Sequence, residues 1–223
     1  MGQGGSRESF ELAYFPIRGR AELLRWLLDY ARLPYTEERI EPADWPAKKP
    51  NTPFGVVPIL RIRSRDGNKR ELSQTLTIAR FLAKKCRGLS GKGPWEQALI
   101  EQYLEAWADL YSAGYRNIVF ATLQGKERDR EKAAKSFMED GALPLLQRFE
   151  RILSATGKDW LVGAKMSLAD VYMGEWLDRL EQIRPGVLSN FPTLKGHHAR
   201  VLAVPCFAAR AEKNAVNRIA NNV

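Results

Sequence analysis

Tyr14 closes a short run in which Phe10, Leu12 and Tyr14 alternate with other residues, the period of a strand, so a phenol hydroxyl sits at a strand end. Pro58 interrupts a second apolar run, Val56–Arg63, where a proline removes a donor from the ladder. A cis Val57–Pro58 bond would resolve this by turning the backbone of Val57 outward as an edge for a peptide-like ligand. Gln74 and Thr75 open a helix directly after a strand, where free N–H groups and the positive end of the helix dipole can hold a carboxylate. The plainer reading of that pair is a polar helix cap. Asp170 stands three positions after Ser167 at another helix start, the spacing of a capping box, and is assigned a folding role.

These residues must be positioned by elements that the pattern also supplies. Strand Phe10–Phe15 ends at Pro16, Gly19 marks a turn, and from Arg20 the residues Leu24, Leu27, Leu28 and Ala31 recur at helical spacing. Pro34–Ile40 reads as a second strand and Glu41–Pro50 as an irregular connection. Val56–Arg63 reads as a third strand, turned at Asp66-Gly67-Asn68 into Arg70–Leu72, and a helix runs from about Gln74 to Lys85. The order is β-α-β then β-β-α.

After the Gly-rich stretch Gly88–Pro94 no strand pattern survives. Ile100, Leu104, Trp107 and Tyr111 form one stripe and Leu99, Tyr103, Ala106 and Leu110 another, so this helix is expected to be buried on two sides. The sign-alternating run Lys126–Lys132 reads as a solvated face. A long helix reaching about Thr156 is expected to bend near Gly141 and Pro144, and Pro185, Pro192 and Pro205 separate the last helices. The fold class is therefore α/β followed by all-α. The expected organisation is a flexible arm over 1–9, an α/β domain over 10–87, a linker over 88–96 and a helical domain over 97–223.

Composition narrows the function. The 223 residues are 44% apolar and 27% charged, the mix of a globular chain rather than a disordered one. No apolar run is long enough for a membrane span, the amino-terminal segment has no secretory core, and two cysteines 120 positions apart show neither metal nor redox spacing. A reducing, cytoplasmic setting is expected. Residues 1–87 hold 17 Lys and Arg against 10 Asp and Glu, a net of +7, whereas 88–223 carry only +2. The basic residues are scattered among acids with no block of five, which argues against nucleic acid and suits an anionic small ligand. Met1–Ser6 satisfies the N-myristoylation pattern at Gly2, which is the one route to a membrane; a tag remnant or a plain tail is the alternative.

The combination resembles a known family, the cytosolic glutathione S-transferases, and within it the sigma class, which includes the haematopoietic prostaglandin D synthases. The stretches that carry the resemblance are Leu12–Phe15 with Arg18–Glu22, Arg39–Glu41 with Ala43–Pro46, Pro53–Gly55 with Val57–Leu60, Gln74-Thr75 with Ile78–Leu82, and Trp160–Gly163 with Ala169-Asp170. They span roughly residues 10–210 in register.

The resemblance implies a thioredoxin-like domain followed by a helical one, paired as a homodimer, with glutathione as co-substrate and no metal. Tyr14 matches the tyrosine whose hydroxyl donates to the glutathione sulfur, and Arg20 would add positive charge beside it. Trp45 and Lys49 match contacts to the glycyl end, and Val57 would pair with the cysteinyl unit, flanked by Gly55, Val56 and Pro58. Gln74 and Thr75 would take the γ-glutamyl carboxylate, and Asp109 of the partner subunit the γ-glutamyl amine. Phe15, Ile17, Tyr111 and Arg116 would line the electrophile pocket. The chain departs from the pattern at Thr75, where a serine is usual, and at Arg116, where prostaglandin D synthases carry a tryptophan. The implied activity is conjugation of glutathione to electrophilic small molecules. A glutathione-dependent isomerase or peroxidase and a non-catalytic relative are the alternatives.

Overall fold

The computed structural model describes residues 8–64, 66–86 and 88–216, and the Gly2 acylation pattern lies outside them. The chain divides into two compact units, Met1–Lys85 and Cys86–Val223.

In the first unit β1 (Ser9–Tyr14) leads through a 3-10 turn, Gly19–Ala21, into α1 (Glu22–Tyr30) and back to β2 (Tyr35–Arg39). Then come α2 (Trp45–Lys48), a 3-10 turn Lys49–Asn51, β3 (Ile59–Arg63), β4 (Lys69–Ser73) and α3 (Thr75–Lys85). The sheet order is β2-β1-β3-β4, with β1 parallel to β2 and the other two pairings antiparallel. Period-two alternation sorts the two faces: Phe10, Leu12, Leu60 and Ile62 are buried, as are Leu24, Leu27 and Leu28 of α1 and Ile78, Ala79 and Leu82 of α3. α1 and α3 pack on each other. On the opposite face Ala13, Ile40 and Ile59 form a small core under Phe15, Trp45 and Val57. Further along, that face is charged, with Arg61 bonded to Glu11 and Glu38 at 2.5 Å each and to Glu71 at 3.0 Å.

Two local expectations change. β3 begins at Ile59 rather than Val56, because Pro58 has no N–H to enter the ladder. The connection 41–50 contains the helical turn of α2, begun by Pro46 in the first turn, where its missing donor costs nothing.

The second unit is helical throughout its described residues. It comprises α4 (Gly93–Leu110), a π-helical turn Tyr111–Tyr115, α5 (Arg116–Leu123), α6 (Glu127–Ser136), a second π-helical turn Phe137–Ala142, α7 (Leu143–Thr156), α8 (Leu168–Ile183), a 3-10 turn Val187–Asn190, α9 (Pro192–Leu202) and α10 (Pro205–Val216). α6 has no buried residue, as its alternating charges require. The expected bend at Gly141 is the second π turn. A Cβ at Gly141 would lie 3.3 Å from the Ala113 carbonyl, so the two irregular turns meet there with no side chain between them.

The segment 88–96 is partly structured. α4 already begins at Gly93, and the carbonyl of buried Leu89 accepts from Leu168 N at 2.9 Å. α4 buries one face, Ile100, Tyr103, Leu104, Trp107 and Leu110, while Leu99 and Ala106 are only half-buried and Asp109 is exposed. The expectation of a helix buried on two sides therefore holds only in part within one chain.

The capping box before α8 is present and fully buried. Asp170 accepts from Leu161 N and Ser167 N at 2.8 Å each and lies 2.9 Å from His197 Nε2. This carboxylate ties a loop, a helix start and α9 together.

Candidate functional site

One rung of the sheet, Ala13–Ile59–Ser73, fixes where the chemistry gathers. Tyr14 follows Ala13, Pro58 precedes Ile59 and Gln74 follows Ser73, so antiparallel register delivers all three sequence features to the same end of the sheet. The Val57–Pro58 peptide is cis. Pro58 is buried, Val57 half-buried and Val56 exposed.

Tyr14 is 4% exposed, and its hydroxyl oxygen accepts the backbone N–H of Arg20 at 2.9 Å. The turn that makes this contact depends on Gly19. Its φ is +40°, and a Cβ there would lie 2.7 Å from Tyr14 Cε1 and closer still to the hydroxyl. The Arg20 side chain itself is exposed. Phe15 stacks edge-on to Tyr14 and to Trp45, with ring centres 5.6 Å and 5.5 Å apart. Trp45 is half-buried and Lys49 exposed; Gly55, at φ +65°, lets the Lys49 stem approach, since a Cβ would be 3.4 Å from its Cε. Ile17 is buried rather than open.

At the start of α3 two local features stand out. Gln74 has a φ of +74°, the left-handed region that costs a non-glycine residue about 1 kcal/mol or more. Beside it the hydroxyls of Ser73 and Thr75 are buried without a hydrogen-bond partner among the described residues. Leaving such a group unsatisfied costs on the order of 1–3 kcal/mol, so a polar ligand atom that reached it would recover that cost on binding. A carboxylate suits two hydroxyls at a helix amino end.

Sequence reasoning did not single out Ser73, or Arg25 beneath the Ile17–Arg20 loop. The guanidinium of Arg25 is buried and donates to the carbonyls of Ile17 at 3.1 Å and Arg18 at 3.2 Å. It also pairs with Glu22 at 2.9 Å and Glu37 at 3.1 Å. Burial opposes its charge, and those carboxylates more than offset it, leaving Arg25 above its ordinary pKa. The one sequence sign was Glu22 and Arg25 three positions apart, a spacing that also fits an ordinary surface pair on an amphipathic helix.

Three expected site residues belong to the second unit. Asp109 is exposed on α4; Tyr111 is half-buried in the π turn, edge-on to Tyr115 at 5.7 Å; Arg116 is exposed at the start of α5. A concavity of about 820 Å³, lined among others by Glu11, Tyr35, Arg61 and Lys69, lies at the other end of the sheet and holds none of the site residues named above.

Residues 10–84 match the family model described as "Glutathione S-transferase, N-terminal domain", and residues 108–213 the one described as "Glutathione S-transferase, C-terminal domain". The chain is 35% identical to the hematopoietic prostaglandin D synthase of Gallus gallus over 92% of this chain and 96% of that one. It is 34% identical to glutathione S-transferase 1 of Ascaris suum, over 88% of this chain and 92% of that relative. Among solved structures, the Fasciola hepatica sigma class GST superposes with a TM-score of 0.76 at 29% identity, covering 96% of this chain and 98% of that one.

Proposed function

The chain belongs to the glutathione S-transferase family, and we propose that it conjugates glutathione to electrophilic small molecules through a thiolate held by Tyr14. The observation that carries the assignment of the site is the buried, unpartnered Thr75 hydroxyl beside left-handed Gln74, at the same end of the sheet as the Tyr14 hydroxyl.

In this reading the γ-glutamyl carboxylate takes Gln74 and Thr75, with the amino end of α3 favouring its charge. The Val57 backbone pairs with the cysteinyl unit, between Gly55-Val56 and Pro58, and Trp45 and Lys49 hold the glycyl end. The sulfur then meets Tyr14. Its thiol proton leaves to solvent, the phenol O–H donates to the thiolate, and the sulfur lone pair attacks the electrophilic carbon as the leaving group departs. Lowering a thiol pKa by about 2 units takes about 2.7 kcal/mol. One hydrogen bond to a charged group contributes about 1.5–3 kcal/mol, so a single aimed hydroxyl supplies most of it. Arg20 adds positive charge nearby, and Phe15 lies edge-on beside the phenol.

The same proposal places the protein in the cytoplasm, in the sigma class, in a detoxifying role and as a homodimer in which the partner's Asp109 meets the γ-glutamyl amine. Exposed Asp109 is available for such a contact, and the exposed rings of Phe54 and Trp95 are apolar surface that a subunit interface would cover. Among the described residues no helix is long and apolar enough to cross a membrane. A second reading, isomerisation by the same thiolate, is favoured by the 35% identity to a prostaglandin D synthase, whereas Arg116 makes the expected pocket more polar than a prostanoid favours.

The test is glutathione-dependent conjugation of an activated aryl halide by the wild type and by Tyr14→Phe. The variant is expected to fold, to keep most of its glutathione affinity and to lose roughly one to three decades of rate. Unchanged turnover would remove Tyr14 from the chemistry, and turnover of a prostaglandin endoperoxide far above that of the aryl halide would favour the second reading.

A further inference from the structure

The hydrogen bond that Tyr14 accepts has its own support. Its donor is the backbone N–H of Arg20, and the orientation of a peptide N–H is set by the chain before it. That chain is Ile17-Arg18-Gly19, and a single buried guanidinium grips it twice, Arg25 Nη1 at 3.1 Å from the Ile17 carbonyl and 3.2 Å from the Arg18 carbonyl. The same Nη1 also donates to Glu22 at 2.9 Å, and Nε and Nη2 donate to Glu37 at 3.1 and 3.3 Å, so the guanidinium cannot rotate without breaking charged contacts. Gly19 then leaves out a Cβ that would clash with the phenol ring and hydroxyl.

We propose that Arg25 is a positioning residue for the thiol chemistry: through the Ile17 and Arg18 carbonyls it aims the Arg20 N–H at the Tyr14 hydroxyl, and Gly19 leaves the space that this contact needs. Resting on the reading of Tyr14 as the partner of the glutathione sulfur, the inference gives the contact a consequence. An amide donating to a phenol oxygen polarises the O–H and makes it a stronger donor to an anion. Loosening the turn weakens that donor while leaving the glutathione-binding groups at Val57, Gln74 and Thr75 untouched.

Arg25→Lys keeps a positive charge beside Glu22 and Glu37, but a flexible ammonium replaces the planar group whose Nε and Nη2 lock against Glu37 and so aim Nη1 at both carbonyls. Glu37→Gln keeps the shape and loosens Arg25 from one side. The readout is the ultraviolet absorbance of the bound glutathione thiolate titrated against pH, beside kcat and the KM for glutathione. In Arg25→Lys the apparent pKa of the bound thiol is expected to rise by about one unit, with about tenfold less thiolate below its pKa and a similar loss in kcat. The KM for glutathione should change less than about threefold, and Glu37→Gln should shift in the same direction by less. A purely structural Arg25 would lower the melting temperature and leave the bound-thiol pKa where it is in the wild type, which overturns the proposal. Should Arg25→Lys fail to fold, Glu37→Gln decides alone: an unshifted titration contradicts the proposal and a raised one supports it. A wild type whose bound thiol titrates like free glutathione removes the Tyr14 reading, and this inference falls with it; a shifted wild type with unshifted variants removes the inference only.

Discussion

The backbone N–H of Arg20 donates to the Tyr14 hydroxyl across 2.9 Å, so the sixth residue after the strand-end phenol holds it from the main chain. The phenol therefore reaches the site already oriented, in a nearly buried setting where hydrogen bonds to a developing anion are strong. A turn that excludes a Cβ at Gly19 makes that possible.

The unpartnered Thr75 hydroxyl predicts opposite effects on binding and stability. Thr75→Val should raise the KM for glutathione roughly tenfold or more, the worth of a hydrogen bond to a carboxylate, while its melting temperature stays level or rises because a buried orphan is removed. Thr75→Ser should stay near wild type in both. Steady-state kinetics with a thermal melt on the same samples checks the pair.

Asp170 should matter for folding alone. Asp170→Ala orphans the buried N–H groups of Leu161 and Ser167 and the ring of His197, at a cost of about 3 kcal/mol or more. For a chain of this size that lowers the melting temperature by roughly 6–12 °C. Rate per folded molecule, taken well below the transition, should be unchanged.

Burial, with the neighbouring Cys206 thiol second, pushes the Cys86 thiol up to about 11 from an ordinary 9.0. A folded-state pKa raised above the unfolded one contributes stability below about pH 9 that is lost as pH climbs through 11. Cys86→Ala should therefore lose less stability than wild type over that window, measured by melting temperature against pH. Below pH 9 an alkylating reagent should spare Cys86 in the native protein.

The proposed assembly predicts a dimer by sedimentation, with Asp109→Ala still dimeric but weaker for glutathione by about fivefold, the worth of one exposed ion pair. A monomer with full glutathione affinity would contradict both the dimer and the role of Asp109.

Much of the first unit was legible because strand alternation, the Gly67 hairpin and the polar opening of α3 are local signals. Tyr14, Pro58, Gln74 and Thr75 could be picked out for the same reason, each breaking a local rule at an element end. Their convergence could not be read locally, because it comes from the Ala13–Ile59–Ser73 rung, a long-range register. Arg20 was expected to act through its guanidinium, and its described contact with Tyr14 is made by the backbone, which carries no residue-type signal. Arg25 was hidden as one more charge on an amphipathic helix, although it is buried under the loop. The break at Tyr111–Tyr115 escaped notice because an apolar stripe continues across it; Gly114, at φ +126°, was its only local sign.

The most direct test is the pH titration of the bound glutathione thiolate in the wild type and in Tyr14→Phe. The account predicts a wild-type bound thiol ionising about 2 units below free glutathione, and a shift that largely disappears in Tyr14→Phe while glutathione still binds. A thiol that ionises in the wild-type complex as it does in free solution, or one whose lowered pKa survives the loss of the hydroxyl, would contradict it.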